Sequence, residues 1–233
     1  MAKSLVVASN MLNERPQLEE WFENMSCIAD AGILIVDGGS TDGTIEFFQE
    51  RLRDGVVLIV DNIIQTEGYG PARNHLRRMS RKFFPAAHWM VYFDADERID
   101  PADFFTFRAI KENLIDNCDV VALPRIDWLD KERTAASRDW RAYPDYQARM
   151  SRIDSSLSYV RRLHEQVVDY RGMYAEMTNP KINHFHRTAP KEKRDQVGKL
   201  CAKLHAEDRE WGDSYPKHHK EDEYFKKYQE EGL

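Results

Sequence analysis

Short apolar runs recur through the first half of the chain, each giving way to a polar residue. Leu5-Val6-Val7-Ala8 leads to Asn10, Ile33-Leu34-Ile35-Val36 to Asp37, Val56-Val57-Leu58-Ile59-Val60 to Asp61, and Trp89-Met90-Val91-Tyr92-Phe93 to Asp94. Runs of this kind predict buried strands, and a fifth follows at Asp119–Pro124. Between them lie segments at helical spacing: Leu18, Trp21, Phe22 and Met25 after Pro16, then Ile45, Phe48 and Leu52. Gly70-Pro71 opens a basic segment through Arg73, Asn74, His75, Arg77 and Arg78, and Pro101 to Asn117 carries Phe104, Phe105, Ala109 and Ile110. Strand and helix in alternation predict an α/β fold with right-handed crossovers and a parallel sheet covered on both faces. Ligands of such sheets bind beyond the carboxyl ends of the strands, where Asn10, Asp37, Asp61 and Asp94 fall.

The second half is less regular. Arg125 to Arg152 mixes Trp128, Trp140, Tyr143, Pro144 and Tyr146 with charges, and reads either as a lid over a site or as a surface excursion with aromatic anchors. Tyr159-Val160, Val167-Val168 and Lys181–Phe185 predict shorter, mixed strands that extend the sheet. A last helix, Lys191 to Asp208, places Val197, Leu200, Cys201 and Leu204 on one docking face and lysines on the other. Beyond Trp211 a charged tail holds Tyr215-Pro216 and His218-His219.

Composition narrows the class. At 233 residues, with 42% hydrophobic and 32% charged residues, the chain can bury a substantial core and is not expected to be disordered. A net charge of −6 argues against a general polyanion binder. Cys27, Cys118 and Cys201 lack a pairing pattern and read as reduced thiols. No apolar run approaches membrane-spanning length, so a soluble cytoplasmic protein is expected.

The most pointed chemistry lies in Phe93-Asp94-Ala95-Asp96-Glu97-Arg98. Alternation along an extended chain points Asp94 and Asp96 the same way, so both carboxylates could meet one divalent cation at the end of a strand; a solvated turn is the plainer alternative. His184 and His186 share a face if Asn183–Arg187 is extended, either as ligands or as packing residues.

Several stretches, in order, resemble the family 2 glycosyltransferases of GT-A fold. They are Asn10-Met11-Leu12-Asn13-Glu14, Val36-Asp37-Gly38-Gly39-Ser40-Thr41-Asp42-Gly43-Thr44, Gly70-Pro71-Ala72-Arg73-Asn74 and Phe93-Asp94-Ala95-Asp96-Glu97. Gln147-Ala148-Arg149-Met150, His164-Glu165 and His184-Phe185-His186 are similar too. The resemblance implies a Rossmann-like, mostly parallel central sheet flanked by helices, with a mixed acceptor-side extension and a C-terminal helical tail. Residues 1–187 would form the GT-A domain, with 1–98 binding the nucleotide sugar and 99–187 building the acceptor side, and 188–233 a helical extension.

By the same resemblance, Asn10, Glu14, Asp37, Asp61, Arg73 and Asp94 would bind the donor, Asp37 at the uracil imide and Arg73 at the phosphates. Asp96, with Asp94, His184 or His186, would hold Mn2+ or Mg2+, and Glu165, with Asp145 in reserve, would be the base of an inverting displacement. The implied activity moves a sugar from a nucleotide-diphosphate sugar, a UDP-sugar above others, to a saccharide or glycolipid hydroxyl. Hydroxymethylated pyrimidines in DNA are the alternative acceptor, with the lysines of the last helix against the backbone, and a non-catalytic sugar or nucleic-acid binding module is the rival class. Two departures stand out: Gly38 where many relatives carry a second aspartate, and Glu97 where many carry a third.

Overall fold

The computed structural model describes residues 3–137 and 143–210. In chain order the elements are β1 (Leu5–Met11), α1 (Leu18–Ser26), β2 (Gly32–Asp37), α2 (Thr44–Gln49), β3 (Val56–Val60), α3 (Ile63–Glu67), α4 (Tyr69–Phe83), β4 (Trp89–Tyr92) and β5 (Glu97–Ile99). There follow α5 (Phe104–Asn113), β6 (Cys118–Asp127), β7 (Asp145–Arg152), β8 (Ser158–Val160), β9 (Gln166–Val168), β10 (Met173–Glu176), β11 (Ile182–His184) and α6 (Lys191–Glu210). The main sheet runs β3-β2-β1-β4-β7-β6-β11-β5, with β10 added to β6. Strands β3, β2, β1 and β4 are mutually parallel, and β7 enters antiparallel beside β4. From there the sheet is mixed, as expected of the second half.

The period-two alternation of β1 divides the core. Leu5, Val7 and Met11 face α1, α2 and α5 through Leu18, Trp21, Phe48 and Phe107, whereas Val6 and Ala8 face α3 and α4 through Ile63, Ala72 and Leu76. Both faces are therefore covered, and β1, β2, β3 and β4 read as apolar runs. On the α4 side a buried cation ties the layers together. Arg77 donates from Nη1 to Ser151 Oγ (2.6 Å) and from Nη2 to the carbonyl and hydroxyl of Ser155 (3.1 Å each), and shares the Arg152 carbonyl between both nitrogens. Burial pulls its pKa down to about 10.

Four sequence expectations need correction. The stretch 125–152 is not one irregular excursion: β6 continues to Asp127, and β7 occupies the middle of the sheet. Its polar side chains hid it, because in this strand Asp145, Gln147 and Arg149 turn into a cleft. Trp140 lies outside the described residues, while Trp128 anchors its segment by donating to Asn183 Oδ1 at 2.8 Å. Second, β8 and β9 pair only with each other, as a separate ribbon, and do not extend the main sheet. Third, Leu52 is 50% exposed because α2 ends at Gln49, so Phe47 takes the inward position. Finally, Phe105 is 81% exposed and Phe107 buried, since the 3-10 turn Pro101–Asp103 shifts the phase of α5. No helix among the described residues is long and apolar enough to cross a membrane.

Arg77→Ala would remove the buried guanidinium from Ser151, Arg152 and Ser155, leaving Ser155 Oγ and Arg81 Nη2 as the remaining donors to the two carbonyls, so we expect about 1–3 kcal/mol of destabilisation in chemical denaturation. A midpoint unchanged from the parent protein would show that the guanidinium does not fasten α4 to the end of β7.

Candidate active site

A cleft of about 1000 Å³ opens beyond the carboxyl ends of the parallel strands. Asn10, Glu14, Asp61, Arg73, Asp94, Asp96, Asp145, Glu165, His184 and His186 all line it. Helix α6 closes it with Lys193, Gln196, Val197 and Leu200, while Leu204 and Ala202 pack on Leu163 beside Tyr69.

The two aspartates line the same cleft with different partners. Residues 94–97 form a turn, closed by the Glu97 amide donating to the Asp94 carbonyl at 3.0 Å, and a turn breaks the alternation an extended strand would impose. Asp94 faces a cationic wall: the Tyr92 hydroxyl donates to Oδ1, Arg149 Nη2 to Oδ2 at 3.0 Å, and Arg73 Nη1 lies 3.8 Å from Oδ1. Both guanidinium groups stack over the Tyr92 ring, Arg73 at 3.0 Å and Arg149 at 5.2 Å from its centroid. Asp94 is thus paired to arginine.

Asp96 instead meets imidazoles. Its Oδ2 lies 3.5 Å from His184 Nε2 and 3.6 Å from His186 Nδ1, and the two rings stack 5.9 Å apart at 13°. Burial would lift the Asp96 carboxyl, but both histidines outweigh it and hold the acid well below its ordinary range. His184 hydrogen-bonds Asp127 through Nδ1, which leaves Nε2 turned to Asp96. Burial disfavours its charged form, yet Asp96 and Asp127 raise its pKa to about 9. A carboxylate and two imidazoles, one oriented by a second carboxylate, form a donor set suited to Mn2+. Among the described residues no group of three or more His, Cys, Asp or Glu is gathered tightly enough to hold an ion unaided, so ligand oxygens would have to complete the shell.

Glu165 sits on the loop after β8, and α4 fixes that loop. Tyr69 and Gly70 amides donate to the Arg162 and Arg161 carbonyls at 2.7 and 3.0 Å. A Cβ at Gly70 would come within 2.2 Å of the Arg161 carbonyl, so only glycine allows this approach. Arg161 and His164 hold positive φ angles of 74° and 54°, a cost tolerated where geometry matters. Arg73 then donates to Glu165 Oε1 from Nε at 2.7 Å and Nη2 at 2.6 Å. Burial would raise this acid, but Arg73 and further hydrogen bonds bring it below its ordinary value. Asp145 has both oxygens engaged, Oδ2 by Arg125 (3.0 and 2.8 Å) and Oδ1 by Gln147 (2.8 Å).

Asp37 does not line the cleft, which corrects its expected place at the donor base. Its carboxylate has no exposed surface; Oδ1 accepts from the Gly39 and Ser40 amides (2.9 and 2.7 Å) and Oδ2 from Ser40 Oγ (2.7 Å). It builds the loop instead. Glu14 does line the cleft, held by Lys193 of α6 and by Gln17. Burial raises its pKa to about 7, with Lys193 opposing.

Sequence reasoning gave Arg149, Arg125, Glu97 and Lys193 no place in the site. Glu97 is fully buried, and its Oε1 accepts from Arg149 Nη2, with Arg125 Nη1 3.7 Å away. A pairing across 52 residues leaves no local pattern, and the one available hint was an arginine inside a strand-like stretch.

Fold and site together are those of a GT-A glycosyltransferase. The family model "Glycosyl transferase family 2" matches residues 11–187, and the chain belongs to that family. It is similar in fold to the mannosyltransferase PcManGT from Pyrobaculum calidifontis in complex with GDP-Man and Mn2+, at TM-score 0.53 and 13% identity over 93% of this chain and 66% of that one. Mannosyl-3-phosphoglycerate synthase from Rubrobacter xylanophilus matches at TM-score 0.53 and 12% identity over 93% and 78%. S. aureus TarS matches at 0.50 and 14% over 85% of this chain but only 39% of its own. Identities this low speak for the fold alone. No curated protein sequence matches the chain.

A carboxyl raised by burial binds its proton more tightly folded than unfolded, so Glu14 stabilises the fold below its ordinary pKa and that stabilisation is lost as pH rises from about 4.5 through about 7. Denaturation of Glu14→Gln beside the parent at pH 5 and pH 8 should show the variant gaining on the parent by a difference on the order of 2 kcal/mol. A constant difference across that range would refute the raised pKa.

Proposed function

We propose that the protein transfers a sugar from a nucleotide-diphosphate sugar, a UDP-sugar above others, to an acceptor hydroxyl with inversion, using Mn2+ or Mg2+. The observation that carries this reading is the convergence of Asp96, His184 and His186 in the same cleft as the Arg73–Glu165 pair. Asp96 with the two histidines would hold the cation, which when bound would supply positive charge beside the diphosphate. Arg73 Nη1 and Arg149 Nε are buried donors without a hydrogen-bond partner among the described residues, as suits an anionic ligand. Residues 1–98 would thus hold the donor and 99–187 the acceptor, with Lys193 drawing the 188–233 extension into the site.

Glu165 is the preferred base over Asp145. Arg73 engages only Oε1 of Glu165, whereas both oxygens of Asp145 accept hydrogen bonds. In the reaction, the acceptor oxygen bonds to the anomeric carbon as its proton passes to Glu165, and the bond to the diphosphate breaks with its electron pair leaving on phosphate. A lowered pKa keeps Glu165 ionised at neutral pH.

A saccharide or glycolipid acceptor is favoured over DNA. Lys193 turns inward onto Glu14 and Lys191 pairs with Asp195 on the same helix at 3.1 Å, which breaks the basic face a phosphate backbone would need.

A panel of UDP-, GDP- and TDP-sugars should yield nucleoside diphosphate from one member, only with Mn2+ or Mg2+; no metal-dependent turnover or binding across the panel would sink the enzyme reading. Asp96→Ala should abolish metal-dependent donor binding. Glu165→Gln should bind donor as the parent does and lose about 100- to 10,000-fold in transfer rate, and full activity in that variant would refute the base assignment.

A further inference from the structure

We infer that Gln65 reads the nucleobase of the donor and that it can do so because residue 38 is glycine; this rests on the donor site proposed above. With the diphosphate at Asp96, beyond β4, the order β3-β2-β1-β4 leaves the ends of β1, β2 and β3 for the nucleoside. Asp37 offers nothing there, its oxygens being taken by Gly39 and Ser40. The next residue, Gly38, lines the cleft, and a Cβ on it would lie 2.4 Å from Gln65 Nε2. The amide of Gln65, carried on α3, therefore occupies the space that a side chain at 38 would claim.

That amide is poised and unsatisfied. Gln65 lines the cleft, and its Oε1 is buried without a hydrogen-bond partner among the described residues; Asn10 Oδ1, at the end of β1, is in the same condition. A buried acceptor left without a donor costs about 1–3 kcal/mol, so a ligand N–H that reaches it is rewarded. A primary amide presents a carbonyl and an N–H side by side. This pair complements a base edge that sets a donor beside an acceptor, such as the ring N–H and carbonyl of uracil.

The test is calorimetric binding of UDP, TDP, GDP, CDP and inorganic pyrophosphate, with Mn2+, to the parent and to Gln65→Ala, Gln65→Glu, Gly38→Ala and the Gly38→Ala/Gln65→Ala double variant. The parent should bind at least one of the nucleoside diphosphates more tightly than pyrophosphate. Gln65→Ala should weaken binding of that nucleotide about tenfold and leave pyrophosphate unchanged, which also shows that the site is intact. Gln65→Glu should change the order of affinities among the four nucleotides. Gly38→Ala should reproduce the loss by displacing Gln65, and the double variant should be no weaker than either single one. Parental affinity in Gln65→Ala for the nucleotide that the parent binds best, or additive losses in the double variant, would overturn this inference and leave the donor site standing. Failure of the parent to bind any nucleoside diphosphate would remove the donor site itself, and the inference with it.

Discussion

Glu97 has no exposed surface, and a carboxylate in that position cannot remain in the fold without cations around it. Arg149 of β7 supplies the first and Arg125 of β6 the second, while the Asp94 amide donates to Oε2 at 3.0 Å. Burial pushes this acid up, and Arg149 works against that. Removing one partner from such a pair typically costs about 3–5 kcal/mol, because the other charge is stranded. The cluster therefore does more than balance charge. It sets the register of β5, β6 and β7 around the turn that carries both aspartates.

The rest of the cleft follows from that constraint. With Arg149 anchored by Glu97, its Nη2 also reaches Asp94, and Arg73 approaches from the other side to clasp Glu165. Asp96, on the far side of the turn, is left to the two histidines. One turn thus separates an arginine-paired carboxylate from an imidazole-paired one. Helix α6 then lies across the opening, its Lys193 fastened to Glu14 and to the Asn13 carbonyl at 3.0 Å. This helix follows the stretch matched by the family model, yet it forms part of the wall.

Those two departures from the family pattern have separate physical explanations. Glu97 is a structural counter-ion to Arg149 and is sealed from the cleft, whereas Gly38 is a vacancy that admits Gln65. Only one position touches the cleft.

By itself the sequence determined the parallel half of the fold, since β1, β2 and β4 are buried on both faces and the apolar runs of β1 to β4 need no knowledge of neighbours to be read. It also brought most of the site residues into view, because strand ends and turn-forming motifs are local signals: Asn10, Asp61, Asp94 and Asp96 line one cleft as their positions suggested. What needed tertiary structure was every feature resting on a distant partner. Strand β7 was illegible because its inward side chains are charged and become tolerable only beside Arg125, Asp94 and Glu97. Asp37 turned from ligand candidate to loop brace because Ser40 reaches back to it, and the separation of Asp94 from Asp96 depends on a turn that neighbouring arginines and histidines hold in place. A charge shows its sign in the sequence, but its role depends on which opposite charge folding brings within a few ångströms.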